Sequence, residues 1–216
     1  CLDEVADSTA AHILNAARRI SVSRDRLMDG NFEMNGLRPM LRLEKSTICF
    51  VGFGNIARNL YRKMRAFFGH VVAVDPYITD RSMYPDVEFL ELHEALSRAD
   101  VVTMHLQLTP ATRGIIGEQE FQSMKPGVIF VNTARGGLVD EAALMRALDS
   151  GRISYCALDV LGTENFSESP LLHRENVILT PHISWCSEAA LAELQKKTAQ
   201  NVVETFLHGE PIYRAV

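Results

Sequence analysis

Between Thr47 and Leu179 the sequence carries a succession of short apolar runs, and stretches with helical periodicity separate most of them. The runs are Thr47-Ile48-Cys49-Phe50-Val51, Val71-Val72-Ala73-Val74, Val101-Val102-Thr103-Met104, Val128-Ile129-Phe130-Val131, Ile153 to Leu158 and Val177-Ile178-Leu179. A strand with one wet face alternates apolar and polar residues, so runs without alternation belong to strands covered on both sides. Helices supply that cover when each connects one parallel strand to the next. Ile56, Leu60, Met64 and Phe67 share one helical face, while 91–98, 118–124 and 140–149 read as further helices. Lys125-Pro126-Gly127 stops the helix over 118–124. The expected class is α/β, a doubly wound parallel sheet.

The two ends read differently. Ala11, Ile13, Leu14, Ala17 and Ile20 recur at helical spacing, which predicts one helix from Asp7-Ser8 to about Asp29-Gly30 with a Ser or Asp cap. Residues 31–46 are irregular, with Gly36 and Pro39 as breakers. A long final helix is expected over 184–208.

Composition narrows the partners. The 216 residues exceed one average domain and fall short of two. With 47% hydrophobic and 23% charged residues, the chain is rich enough in apolar side chains to bury a core. A net charge of −5 leaves no basic footprint for nucleic acid and no polybasic anchor for anionic lipid. No apolar run approaches the roughly 18–20 residues that span a bilayer, and the first residues lack the pattern of a signal peptide. Cys1, Cys49, Cys156 and Cys186 form no C-x-x-C pair, so neither a disulfide framework nor a metal site is expected, and a reducing cytoplasm is the default. The chain begins with Cys1 rather than Met, which suggests a fragment.

The first apolar run ends at Gly52-Phe53-Gly54-Asn55-Ile56-Ala57, a G-x-G-x-x-A sequence that opens a helix. In that context Gly52 permits the tight turn, Gly54 lets a pyrophosphate approach the backbone, and small Ala57 allows close helix–strand packing. The N–H groups and dipole of the helix start favour the anion. Asp75 ends the second run, 21 residues beyond Gly54, where a carboxylate accepts from a ribose diol and repels a 2′-phosphate. The sheet is therefore expected to be of the Rossmann type, with NAD as cofactor in preference to NADP.

Three charged groups follow strands on the ligand-binding edge. Arg135 lies in Asn132-Thr133-Ala134-Arg135-Gly136-Gly137, His182 in Pro181-His182, and Glu164 just after the strand ending at Leu158. Together they suit reduction of a 2-keto acid. Arg clamps the carboxylate and polarises the carbonyl, protonated His supplies a proton, and Glu raises the histidine's pKa. Taken singly, each has an ordinary reading as a solvated or structural side chain.

The stretches N-T-A-R-G-G-L-V-D-E-A-A-L (132–144), A-L-D-V-L-G-T-E (157–164) and T-P-H-I-S-W (180–185), with G-F-G-N-I-A and H-L-Q-L-T-P-A-T-R-G (105–114), resemble the D-isomer-specific 2-hydroxyacid dehydrogenases. V-A-D-S-T-A-A-H-I-L-N, D-P-Y and W-C-S-E look most like the C-terminal-binding-protein branch, alongside the glycerate and phosphoglycerate dehydrogenases. The resemblance implies Arg135, Glu164 and His182 as catalytic trio. It implies Gly52, Gly54, Asn55 and Ile56 at the pyrophosphate and Asp75 at the adenosine ribose. Leu106 to Thr112, with Thr133 and Ala134, would line the cofactor. Asp159 would hold the nicotinamide carboxamide, Trp185 would wall the substrate pocket, and Arg135, His182 and Trp185 would also touch the cofactor. Departures are Ala57 for the third glycine, Gln107 where Pro is usual, and Asn165 where Pro often follows the Glu. The implied organisation is an NAD-binding domain over 1–183 and a helix within 184–216 that packs on a substrate domain, most of which is missing. The implied activity is interconversion of a small D-2-hydroxy acid and its 2-keto acid in a homodimer. An NAD(H)-sensing, corepressor-like scaffold is the alternative. Phe32, Met34, Leu37, Met40 and Leu41 form the apolar arm expected at the dimer contact.

Overall fold

The computed structural model describes residues 1–163 and 165–213. Its core is one parallel sheet of β1 (Thr47–Val51), β2 (His70–Val74), β3 (Val87–Phe89), β4 (Val101–Met104), β5 (Val128–Asn132), β6 (Ile153–Leu158) and β7 (Val177–Leu179). The spatial order is β3-β2-β1-β4-β5-β6-β7. Chain direction across the sheet thus reverses between β1 and β4, and the crevice at such a switch point is where α/β sheets take ligands.

Every residue of β1, β4 and β5 is buried, as the unbroken runs require. Alternate residues of each strand nevertheless feed separate cores. Ile48, Phe50, Val101, Ile129, Val131 and Tyr155 pack under α1 (Leu2–Arg18) and α3 (Asn55–Met64). Cys49, Val51, Val102, Met104, Phe130 and Cys156 pack under α4 (Leu92–Arg98), α5 (Glu118–Ser123) and α6 (Glu141–Asp149). Asp140 caps α6 by accepting from the Ala143 N–H at 3.1 Å.

Three local expectations change. The N-terminal segment is two helices: α1 starts at Leu2, ahead of the Asp7-Ser8 start read from sequence, and α2 (Ile20–Met28) follows a break at Arg19. Arg19 adopts φ 56° and is 3% exposed. Its guanidinium donates to Ala16 O, Leu37 O, Pro39 O and Ser154 Oγ and lies 4.6 Å from the centre of the Tyr155 ring. Those bonds recover part of the solvation lost on burial and fix residues 37–39 against the sheet. Leu37 and Leu41 of the arm pack on the core, whereas Phe32, Met34 and Met40 are exposed. Edge strand β3 was not anticipated, because Val-Glu-Phe is too short to carry a periodic signal; Glu88 is exposed there and pairs with Arg98. The last helix, α7 (Glu188–His208), starts four residues later than read, where the Ser187 hydroxyl accepts from the Ala190 N–H. Leu194, Val202, Val203, Phe206 and Leu207 on α7 are exposed.

Candidate cofactor cleft and catalytic edge

At the end of β1 the chain turns through Gly52 at φ 90°, a left-handed conformation open to glycine. A Cβ there would lie 2.9 Å from the backbone of His105 at the end of β4. Phe53 is fully buried, edge-on to Phe50, Tyr84 and Phe89, so the turn is anchored from below. Gly54 is the opposite case. It has an ordinary φ of −76°, and a Cβ would meet nothing within 4 Å. Helix α3 begins directly after it, and first-turn N–H groups have no helical acceptor. An open backbone beside such donors fits a pyrophosphate. Asn55 is exposed, Ile56 half-buried and Ala57 fully buried against the strand.

Asp75 is half-buried beside this turn. One carboxylate oxygen accepts from Phe53 N–H at 2.8 Å and the other from Tyr77 N–H at 3.0 Å. These bonds orient the group and leave each oxygen a second acceptor direction, as two ribose hydroxyls require. The residues present therefore fit a dinucleotide.

Next to the turn opens a cleft of about 520 Å³, lined by Ile56, His105, Leu106, Gln107, Leu108, Thr133, Ala134, Arg135 and, from α1, Val5. Seven of the residues assigned to the cofactor or catalysis thus meet in one cavity: Ile56, Leu106, Gln107, Leu108, Thr133, Ala134 and Arg135. Thr112 shapes its rim, because its hydroxyl donates to Gln107 O at 2.6 Å and accepts from Thr109 N–H at 2.8 Å. Thr133 shares a 2.6 Å hydroxyl bond with Thr9 of α1.

His105 stacks on Phe50, bonds Thr103 through Nε2 at 3.0 Å, and is pushed by burial to a pKa of about 3. His12 on α1 is shifted down by burial as well, with Asp159 opposing. Unfolded histidine takes a proton near pH 6.5, so below that pH the unfolded state binds more protons and stability falls as pH drops. The unfolding free energy from urea titration is expected to decline between pH 7 and pH 5, by about 1 kcal/mol per pH unit for each such histidine, before the paired carboxylates titrate. A His105→Gln variant flattens that slope. A parent midpoint indifferent to pH in this window would contradict it. The Cys49 and Cys156 thiols are buried and their pKa values raised, which makes them inert.

Arg135 follows β5. The buried Asn132 side chain shapes its loop by donating to Arg135 O at 2.9 Å and accepting from Ala134 N–H at 3.0 Å. The guanidinium is exposed and donates to Ala134 O at 2.7 Å. Immediately beyond, Gly136 presses on the loop after β6: a Cβ would stand 1.9 Å from the carbonyl carbon and oxygen of Leu161. That contact joins the Arg135 loop to the segment leading toward Glu164, which lies outside the described residues.

Asp159, at the end of β6, is 1% exposed and gathers the segment after β7. Its backbone carbonyl accepts from His182 N–H at 3.0 Å, and its carboxylate accepts from Ile183 N–H at 3.0 Å and Ser184 N–H at 2.8 Å. The Thr180 hydroxyl, 2.5 Å away, donates to the same carboxylate. His182 is held at φ 54° with its side chain exposed, and the Trp185 indole N–H donates to its carbonyl at 2.9 Å. Arg135, Asp159 and His182 therefore leave the C-terminal ends of three adjacent strands. Sequence reasoning missed Asn132, Gly136 and Thr180. For the first, Asn two residues before a bonded N–H was a readable turn signal.

An α/β domain with a glycine turn, an acid at the end of the second strand and a cleft at the switch point is a dinucleotide-binding domain of the Rossmann type. Over residues 10–184 the chain matches the family model "D-isomer specific 2-hydroxyacid dehydrogenase, NAD binding domain", and it belongs to that family. It is 36% identical over 219 residues to D-3-phosphoglycerate dehydrogenase of Mycobacterium tuberculosis, covering 100% of this chain and 40% of that protein. It is 35% identical over 175 residues to hydroxypyruvate reductase of Blautia hydrogenotrophica, covering 81% of this chain and 54% of that one. Among solved structures, D-2-hydroxyisocaproate dehydrogenase superposes with a TM-score of 0.88 at 26% identity, over 100% of this chain and 69% of that one. D-lactate dehydrogenase of Aquifex aeolicus, solved with NAD and lactic acid, gives 0.87 at 29% identity, over 97% and 67%. The chain thus spans about 40% of the length of the phosphoglycerate dehydrogenases that it matches. Among the described residues no helix is long and apolar enough to cross a membrane.

Proposed function

We propose that the protein is an NAD-dependent oxidoreductase interconverting a small D-2-hydroxy acid and its 2-keto acid. The observation that carries this reading is the convergence of the Arg135, Asp159 and His182 segments on adjacent strand ends beside the cleft of about 520 Å³. Arg135 pairs with the substrate carboxylate and polarises the keto oxygen. His182 gives a proton to that oxygen as it gains charge, with Glu164 as the acid that tunes it. Bound NADH would supply the hydride to the keto carbon, and that hydride together with the proton from His182 completes the alcohol. The carboxylate of Asp159 accepts three bonds within the chain and has a further lone pair for the carboxamide of the nicotinamide. Gly52, Gly54, Asn55 and Ile56 hold the pyrophosphate, Asp75 the ribose, and Trp185 borders the substrate. A homodimer is part of this reading, with Leu27, Met28, Phe32 and Met34 as exposed apolar surface. A screen of 2-keto acids on the full-length protein, followed by NADH absorbance, tests the activity; no oxidation with any of them would refute it.

Cofactor choice is separable from turnover. Calorimetry is expected to show NADH binding more tightly than NADPH by at least about tenfold, or roughly 1.4 kcal/mol. Asp75→Ser narrows the gap by removing the charge that repels a 2′-phosphate. Equal affinities for the parent would remove Asp75 from the ribose.

A further inference from the structure

Helix α1 is tied to the His182 segment by three side-chain bonds. Ser8 and Ser184 share a hydroxyl bond at 2.8 Å, Ser187 donates to Glu4 at 2.8 Å, and His12 Nε2 stands 3.2 Å from Thr180 Oγ1. The third is directional. Asp159 is a carboxylate and only accepts, and the Thr180 hydroxyl at 2.5 Å has a single hydrogen to give it. The threonine oxygen therefore accepts from His12, and the imidazole carries its proton on Nε2. Burial keeps the ring neutral, although Asp159 faces it from β6 and Glu4 and Asp7 line the same groove on α1.

We propose that His12 is a positioning residue for His182, acting through Thr180 and Asp159. The proposal rests on the reading of His182 as proton donor. Asp159 is the hub: it receives the His182 N–H on its carbonyl and the next two N–H groups on its carboxylate. Its oxygens are aimed by Thr180, and Thr180 is aimed by His12. A donor on α1 thereby sets the carboxylate that fixes the left-handed residue 182, whose conformation would otherwise relax.

Trp185 is the single tryptophan of the sequence, and its indole is bonded to the His182 carbonyl. Its emission and its quenching by acrylamide therefore report the position of this segment without any turnover. His12→Leu, which removes the donor, is expected to raise the quenching constant by roughly twofold as the segment loosens. His12→Gln returns an N–H at similar reach and is expected to restore the parent value. Equal quenching in the Leu and Gln variants, or none changed from the parent, would overturn the proposal. If His12→Leu does not fold, Thr180→Val against Thr180→Ser makes the same comparison, with Val alone perturbing the indole. In a form that reduces a keto acid, His12→Leu lowers kcat several-fold and His12→Gln restores it. A fall in kcat with Trp185 unperturbed would also overturn it. An indole response in a full-length protein without any turnover would sustain the positioning and refute the dehydrogenase reading instead.

Discussion

Replacing His182 with Ala is expected to leave NADH affinity within a few-fold of the parent while keto-acid turnover falls by roughly 10²–10⁴, the usual worth of a positioned acid–base group. The imidazole is exposed at the strand ends, so its loss opens no cavity in the core. Its backbone needs separate control. At φ 54° an Ala residue is strained, by the order of 1–2 kcal/mol, so part of any loss would come from the turn. His182→Asn removes that ambiguity, because Asn tolerates the left-handed region but has no proton to give at neutral pH. Both variants are expected to lose turnover, Ala somewhat more through the strained turn, and to differ in the urea midpoint. An Asn variant that kept parental kcat in a stopped-flow assay would take His182 out of the chemistry. Arg135→Ala, in contrast, raises the substrate KM as well as lowering kcat, since the clamp acts on the bound acid before and during reaction.

The largest stability effect is expected at Gly136. A methyl group there would stand 1.9 Å from the Leu161 carbonyl carbon and oxygen. Both atoms are backbone, so no rotamer change relieves the clash and the two loops must move apart. Gly136→Ala is expected to cost about 3 kcal/mol, the upper range for overpacking, and to displace Arg135 from the edge it shares with the segment toward Glu164. Gly54→Ala is the contrasting variant. Its φ suits Ala and its methyl meets open space, so the urea midpoint stays near the parent while NADH binding is lost, because the pyrophosphate can no longer approach the backbone. A Gly136→Ala protein as stable as the parent would show that the loops are not held together here.

The unbroken apolar runs were sufficient to determine a parallel sheet covered on both faces, because desolvation on two sides is a local demand that each strand states by itself. The turn at Gly52 was legible for the same reason: the glycine turn and the helix start are contiguous in the chain. Asp75, Arg135 and His182 were placed at strand ends by position alone, since a parallel sheet sends every strand's C-terminal end to one edge. Tertiary structure decided the rest. Residue 19 breaks the first helix because its guanidinium finds acceptors at Leu37, Pro39 and Ser154, none of which helical periodicity can see. Strand β3 exists because β2 offers it an edge. Asp159, read from the family resemblance as a cofactor contact, is also the internal anchor of residues 182–184. Partners eighteen or more residues apart leave no periodic trace, and a hydrogen bond made across the fold can be found only once the fold has brought its two ends together.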